Sequence, residues 1–442
     1  MHKRTRRHAL SRLGSVGVVA VSAVLLTACL GNNAPDGGGG GEITDDPTAP
    51  LTVWTDATRL PIFEAYAEAH PDRDVEIVTV SAETVLSKIQ LANQAGADWP
   101  DVIWASEGMA AALVTDTYRN FPQPLDELLP QDVQDEFGTT LDGCRINGEL
   151  VCVKNDLAQM VLYYNAPEME RLGYALPATF DEYVELGLRI ADENPGYLVD
   201  DGIGAATIWE FYWPSGCPIS QVTDVDQVKI NWLDDRCAHV TESLDQLAAA
   251  GVIPTKELTD IDRAQYGSTN HLLMNVGPVW AAQATLKTAW QYPEGALAAA
   301  PMFTFPDEDE PWTGAQGGGV YIVSRHSADI VGSADLVEWV STNAELQSKQ
   351  VTMPAYGPAQ AAWAEVALAQ DPLWFEDPTE TFVSSAQFIR PTFNPTRYDP
   401  RVVWADVVVS SVRTGKTIGE NIERLQNQAV NLAGSTGYVV EQ

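Results

Sequence analysis

The sequence predicts an α/β fold, and three observations carry the prediction. Short apolar, β-branched runs alternate with stretches of helical spacing from residue 51 to residue 106. A second series of helices and strands starts after "MVLYYN" (Met160–Asn165). Hydrophobic residues make up 45% of the chain, which supports packed cores rather than disorder.

Taken in order, "LTVW" (Leu51–Trp54) is an apolar run suited to a buried strand, and "RLPIFEAYAEAH" has helical spacing through Ile62, Tyr66 and Ala69. "DVEIVTV" (Asp74–Val80) alternates as a second strand, and "ETVLSKIQLANQAG" reads as a helix that stops at Gly96. "DVIWAS" (Asp101–Ser106) is a third strand, with another helix expected after it. This alternation implies βαβ units in a parallel sheet, whose ligands lie beyond the carboxyl ends of the strands. Trp54-Thr55-Asp56 and Trp104-Ala105-Ser106-Glu107 occupy such ends and are expected to face one crevice.

The second series runs through the helix "TFDEYVELGLRIADENPG" and the strands "HLLMNVGPVW" and "ALAAAPMF". "GGGVYIVS" (Gly317–Ser324) is a strand approached through glycines, followed by the helix "SADLVEWVSTN". Helical segments close the chain, "VVWADVVVSSVRTG" and "TIGENIERLQNQAVNLAG", and no internal repeat is visible.

The first 28 residues form a separate module. "MHKRTRRHALSR" is basic without an acid, Leu13–Ala28 is uncharged, and Cys29 follows. That is the layout of an export signal, and the apolar stretch is shorter than the roughly 20 residues a spanning helix needs. Leu26-Thr27-Ala28-Cys29 resembles the bacterial lipobox, which implies cleavage before Cys29 and lipid on its sulfur. Arg6-Arg7 leaves both general and twin-arginine export open. Residues 29–50, with Gly37–Gly41, read as a flexible tether.

Export puts Cys144, Cys152, Cys217 and Cys237 in an oxidising compartment, where four cysteines allow three disulfide pairings. The local pairing, Cys144–Cys152 and Cys217–Cys237, fits best, because "CRINGELVC" holds the hairpin signal Asn147-Gly148 between its cysteines. A metal site at Cys217, Cys237 and His239 is the rival reading, and no CxxC spacing supports it.

The formal charge is −35, and signal cleavage takes five basic residues and no acid from it, leaving −40. Such a surface repels nucleic acid and anionic headgroups. It also opposes a strongly anionic ligand, although a local arginine reverses that. The acidic "FPDEDEPW" has the composition of a calcium loop, with a solvated surface loop as the plainer reading.

Enzyme motifs are missing: no GxSxG elbow, Walker loop or HExxH is present, and "GIGAAT" lacks the third glycine of a dinucleotide loop. Among 61 acids nothing singles out a glycosidase-like pair. No cofactor is expected.

From Leu51 onward the chain resembles the extracellular solute-binding proteins of ABC importers, of the carbohydrate-binding type similar to maltose-binding protein. "LTVW", "PDVIWASEG", "LYYNAPEMERLGYALPATFDEY", "MNVGPVW", "GGGVYIVSRHS" and "GKTIGENIERLQNQAVN" carry the resemblance in family order. The cysteine pairs and "CVKNDLAQMVLYYN" look like an actinobacterial subset. The resemblance implies two α/β lobes that close by a hinge of about three chain crossings, near Val153–Leu157, Pro301–Phe303 and Glu345–Val351. Lobe one would hold residues 51–153 and 304–345, and lobe two residues 154–303 and 346–442. The implied function is capture of a sugar or oligosaccharide and delivery to a permease. The protein would be a monomer on the outer face of the cytoplasmic membrane, with no reaction.

A pyranose has an apolar face for aromatic rings and hydroxyls for charged or amide groups. Asp56, Glu107 and Asp156 are the polar candidates, and Asp56 also suits a helix cap. Trp54 and Trp104 lie at strand ends; Trp209, Trp213, Trp280 and Trp404 match the family's stacking positions, Trp404 with a two-residue slip. Gly318 and Gly319 permit close approach of backbone to ligand, and Tyr356 in "PAYGP" is either ligand-facing or a turn residue. For each tryptophan the competing role is lobe core, since large aromatics are mostly buried. Two other functions stand beside sugar capture: the same fold binding a polyamine or glycerophosphodiester, and a glycan-active enzyme.

Overall fold

The computed structural model describes residues 43–106, 121–146, 148–224, 226–368, 371–390 and 396–442, and of residues 82, 83 and 146 the backbone only. The signal, Cys29, Gly37–Gly41, Glu107, the helix expected after Ser106 and Asn147 lie outside the described residues.

The first sheet forms where the apolar runs place it. β1 (Leu51–Thr55) sits between β2 (Val75–Thr79) and β3 (Val102–Ser106), parallel to both, with Leu51 opposite Val75 and Val53 opposite Val102. Two connecting helices, α1 (Leu60–Ala69) and α2 (Ala82–Ala95), supply the crossovers. Gly96 ends α2 in the left-handed conformation, the C-terminal stop its residue type favours.

A wholly parallel sheet is not what results. Strand Gly319–Val323 joins β3 antiparallel, with Gly319 opposite Ser106, and Val153–Lys154 pairs antiparallel with it on the far side. A late return of the chain supplies these strands, and no crossover helix constrains their direction. The reversal has a consequence for the site: it brings the start of the Gly319 strand to the carboxyl ends of β1 and β3.

The second sheet is antiparallel. Met160–Asn165 lies between Met274–Pro278 and Leu297–Ala300. Alternation splits its residues between two cores: Met160, Leu162, Met274 and Val276 join one apolar cluster, while Val161, Tyr163, Leu297 and Ala299 join the cluster that continues into the first sheet. Helix Phe180–Glu193 starts at a Thr179/Glu182 capping box and buries Tyr183, Leu186 and Ile190 in the former.

The chain changes sheet between Lys154 and Met160, and Met353–Pro354 returns beside that crossing to pair with Asp156–Leu157. Past Pro301 the chain keeps contacts with the second sheet. Phe303 and Phe305 belong to the second-sheet core, Thr304 bonds to Ala178, and Thr313 bonds to Met160. These contacts hold the chain beside the second sheet until Ala315, which bridges Gln159.

Residues 43–50, assigned to the tether, are tied down. Thr44 Oγ1 donates to the Ser327 carbonyl at 2.8 Å, and Arg73 donates to the Pro47 carbonyl at 2.6 Å. Disulfides join Cys144 to Cys152 and Cys217 to Cys237, with Cα separations of 5.1 and 5.0 Å. The disulfide removes the thiolates a Cys217/Cys237 metal site would need, and His239 instead pairs with Asp181 at 2.8 Å.

Candidate functional site

Asp56 follows β1 directly, and its carboxylate closes the turn that leads into α1. Oδ1 accepts the Arg59 backbone N–H at 2.8 Å, and Oδ2 accepts Arg59 Nη1 at 3.1 Å. A turn-forming aspartate three residues before an arginine thereby fixes the guanidinium at the head of α1.

Arg59 then reaches two further partners. Its guanidinium lies over Trp104, 4.3 Å from the ring centroid, and its Nη2 approaches Asp156 Oδ1 at 3.6 Å. Arg59 was not among the residues picked out by sequence. Its signal was its position: the first base after Arg12, three residues after an acid at a strand end.

Asp156 is fully buried at the sheet-changing segment. Its Oδ1 accepts the Gly319 N–H at 2.8 Å and Asn155 Nδ2 at 2.6 Å, while Oδ2 has no hydrogen-bond partner. Asn155 in turn accepts the hydroxyl of Tyr321, which burial holds firmly protonated. Trp104 Nε1 is also buried without an acceptor. An orphan acceptor and an orphan donor therefore stand within one group of residues, and each is costly to leave unmade.

Gly319 makes this contact possible. A Cβ at Gly319 would fall 2.2 Å from Trp104 Nε1, so only glycine lets the indole edge lie on the strand. Just upstream, Gly317 and Gly318 adopt φ of 115° and 86°. Half-buried Trp280 closes on the same turn, donating from Nε1 to the Gln316 carbonyl at 2.8 Å.

The structure thus gathers Asp56, Trp104, Asp156, Trp280, Gly318 and Gly319 around Arg59 and the residue 316–319 turn. Trp54 is not with them. It pairs with Ile103, the neighbour of Trp104, so it points to the opposite face of the sheet, where Lys88 lies 5.3 Å from its ring. Tyr356 is half-buried against Phe137, ring centroids 5.1 Å apart, immediately before helix Gly357–Ala367.

Trp209 and Trp213 form a second aromatic pair, centroids 5.2 Å apart, on a π-helical turn at Ile208–Tyr212. Gly314 lies tight against this turn: a Cβ there would meet the Trp209 carbonyl at 2.3 Å. Trp404 is 0% exposed, stacked on Trp232 and bonded through Nε1 to the Gly204 carbonyl. Its ring has no free face in this conformation, and the core supplies every contact a ligand would replace.

Beneath the Trp209–Trp213 turn lies a buried acidic group that sequence reading overlooked. Burial and mutual repulsion raise the carboxyls of Asp200 and Glu210 well above their ordinary range. Asp201 is pushed up to about 6, by burial first, with Arg263 opposing. Asp200 accepts the backbone N–H groups of Gly202 and Val276, which anchors this loop to the edge of the second sheet. Among the described residues no cluster of His, Cys, Asp and Glu suits a metal ion, and no helix is long and apolar enough to cross a membrane.

Comparison with known proteins follows from this architecture. The galacto-N-biose/lacto-N-biose I-binding protein of an ABC transporter from Bifidobacterium longum, in complex with lacto-N-biose, superposes with a TM-score of 0.70. It is 17% identical and covers 90% of this chain and 100% of its own. The transporter-associated binding protein of B. animalis subsp. lactis, in complex with β-1,6-galactobiose, gives a TM-score of 0.66 at 16% identity, covering 89% and 100%. The GacH receptor of Streptomyces glaucescens, solved unliganded and with acarbose, gives 0.64 at 16% identity, covering 89% and 100%. No curated protein matches the chain. At these identities the superpositions establish the two-lobed solute-binding fold. The pattern described as "Bacterial extracellular solute-binding protein" matches residues 51–347, about two thirds of the chain, so the protein belongs to the family of bacterial extracellular solute-binding proteins.

Proposed function

We propose that this protein captures a saccharide between its lobes and delivers it to the permease of an ABC importer, without catalysis. The orphan pair at Trp104 Nε1 and Asp156 Oδ2 carries this reading. A sugar hydroxyl offers one donor and two lone pairs, so it suits an unmatched acceptor and an unmatched donor set close together. Half-buried Trp280 supplies aromatic surface for the C–H face, and Arg59 fixes the carboxylates that take the remaining hydroxyls.

In this reading the lobes close about the crossings at residues 154–160, 315–319 and 345–353, and lipid on Cys29 holds the monomer at the outer face of the membrane. Support for a saccharide comes from the three fold relatives, whose ligands are lacto-N-biose, β-1,6-galactobiose and acarbose.

Thermal-shift and calorimetric titration against neutral and acidic oligosaccharides, polyamines and glycerophosphodiesters test the reading. At least one saccharide should raise the melting temperature, and Asp156→Asn should weaken it by about tenfold or more. Stabilisation by an amine or a phosphodiester alone would replace the saccharide with that ligand, and conversion of any saccharide would make the protein an enzyme.

A further inference from the structure

Two arginines converge beside Trp213, in a chain whose formal charge is −35. A small pocket there is lined by Trp213, Gly216, Cys217, Ile219, Ser220, Gln221 and Arg390, with Arg236 just outside the lining. Gly216, at φ 76°, marks the point of convergence: a methyl group there would meet Arg236 Nη1 at 2.8 Å and Arg390 Nη1 at 3.3 Å.

The two guanidinium groups are not neutralised as a pair. Arg390 Nη2 donates to Glu308 and to the Pro214 carbonyl, each at 2.8 Å, and its planar face lies over Trp312. Its Nε is buried with no acceptor. Exposed Arg236 donates to the Gly216 carbonyl at 3.2 Å, and no carboxylate forms an ion pair with it among the described residues. Glu308 thus pairs with Arg390, and no ion pair between it and Arg236 is seen among the described residues. Burial, and then the like charge of Arg236, pull Arg390 below its ordinary value even though Glu308 opposes the shift. Arg236 sits in the first turn of the helix Asp235–Ala250, next to Asp235 and to the N-cap carboxylate of Asp234, which accepts its backbone N–H at 3.0 Å.

A guanidinium presents paired N–H groups that match the oxygens of a carboxylate or sulfate, and an unmatched buried Nε adds a further donor. The neighbouring indole belongs to the largely buried Trp209–Trp213 pair. The segment from Thr313, whose carbonyl accepts the Arg390 N–H, leads to Gly319 in the Arg59 group.

We infer that Arg236 and Arg390 form an anion subsite beside Trp213, and that the solute is a saccharide carrying a carboxylate or sulfate group. This rests on the saccharide reading above and narrows it to acidic sugars. Distant surface charges are screened, so the field at the subsite is set by Arg236 and Arg390 against their neighbours Glu308, Asp234 and Asp235.

The experiment is calorimetric titration of the full mature chain with uronate di- and trisaccharides, sulfated disaccharides, their neutral counterparts, and inorganic sulfate alone. The expected result is at least about tenfold tighter binding of one acidic saccharide than of its neutral counterpart, weakened by added salt. Arg236→Ala, with its melting temperature checked against the wild type, should reduce the acidic-to-neutral ratio to about one, whereas Arg413→Ala should preserve it. Neutral saccharides bound as tightly as acidic ones, or an unchanged ratio in Arg236→Ala, would overturn the subsite while leaving the saccharide reading intact. Binding of no saccharide would overturn both. Uronate against sulfated ligands identifies the group taken, and sulfate bound alone without any acidic saccharide would refute the sugar part.

Discussion

Gly319 and Trp104 are in such close register that the indole Nε1 occupies the space a side chain at 319 would need, 2.2 Å from the position of its Cβ. The contact exists because the Gly319 strand runs antiparallel to β3, which sets Tyr321 opposite Trp104 and Gly319 opposite Ser106. Backbone and indole together frame Asp156, whose Oδ1 takes the Gly319 N–H.

Gly319→Ala should therefore push the indole off the strand. Overpacking of this kind costs about 1–3 kcal/mol, read from chemical denaturation. Ligand affinity should fall further than stability does, because Trp104, Asp156 and Arg59 are displaced together. A variant with full stability and unchanged affinity would show that the indole moves aside freely.

Trp280 and Trp404 should separate cleanly. Trp404→Ala empties a fully buried space among Trp232 and Tyr212 and should cost about 3–5 kcal/mol of stability. Trp280 is half-buried, and Trp280→Ala should cost less stability while abolishing measurable saccharide binding. Urea denaturation and calorimetry on the same preparations give both numbers.

The disulfides should differ in worth by the chain each one closes. Removing Cys217–Cys237, with a separation of 20 residues, should cost about 3 kcal/mol, and Cys144–Cys152, separation 8, about 2.5 kcal/mol. Paired Cys→Ser variants compared by denaturation test this order.

Glu210 should make stability fall as pH rises. Its folded carboxyl is raised by burial beside Asp200 and Asp201, so the folded chain binds more protons than the unfolded chain across that interval. The favourable contribution is complete below the unfolded value, about 4.3, and is lost as pH rises through the folded value. Asp201 adds the same trend up to about 6. Glu210→Gln, neutral at every pH, should melt above the wild type at pH 7.5 and lose that lead by pH 4.5. A lead that does not change with pH would mean Glu210 is not the group responsible.

Much of the fold was legible because its signals are local. Alternation at Val75–Thr79, the capping box at Thr179 and the stop at Gly96 each depend on a few neighbouring residues. The site was less legible. Asp56, Trp104 and Asp156 stood out as chemistry at strand ends and crossings, but Arg59 acquires its role through three partners, two of them far away in sequence. Trp54 and Trp104 looked equivalent from sequence, and only the pairing of Trp54 with Ile103 puts them on opposite faces.

By itself, then, the sequence determined the strands and helices of the α/β fold, the local disulfide pairing and the residue types a saccharide requires. Their determinants span a turn of helix or a few strand residues, so no distant contact is needed to read them. Tertiary structure alone decided the antiparallel direction of the Gly319 strand, the burial of Trp404 and the bridge between Gln159 and Ala315. It also decided the meeting of Arg236 with Arg390 over Gly216. Each of these depends on which distant segments lie side by side, and long-range pairing of that kind leaves no periodicity in the chain.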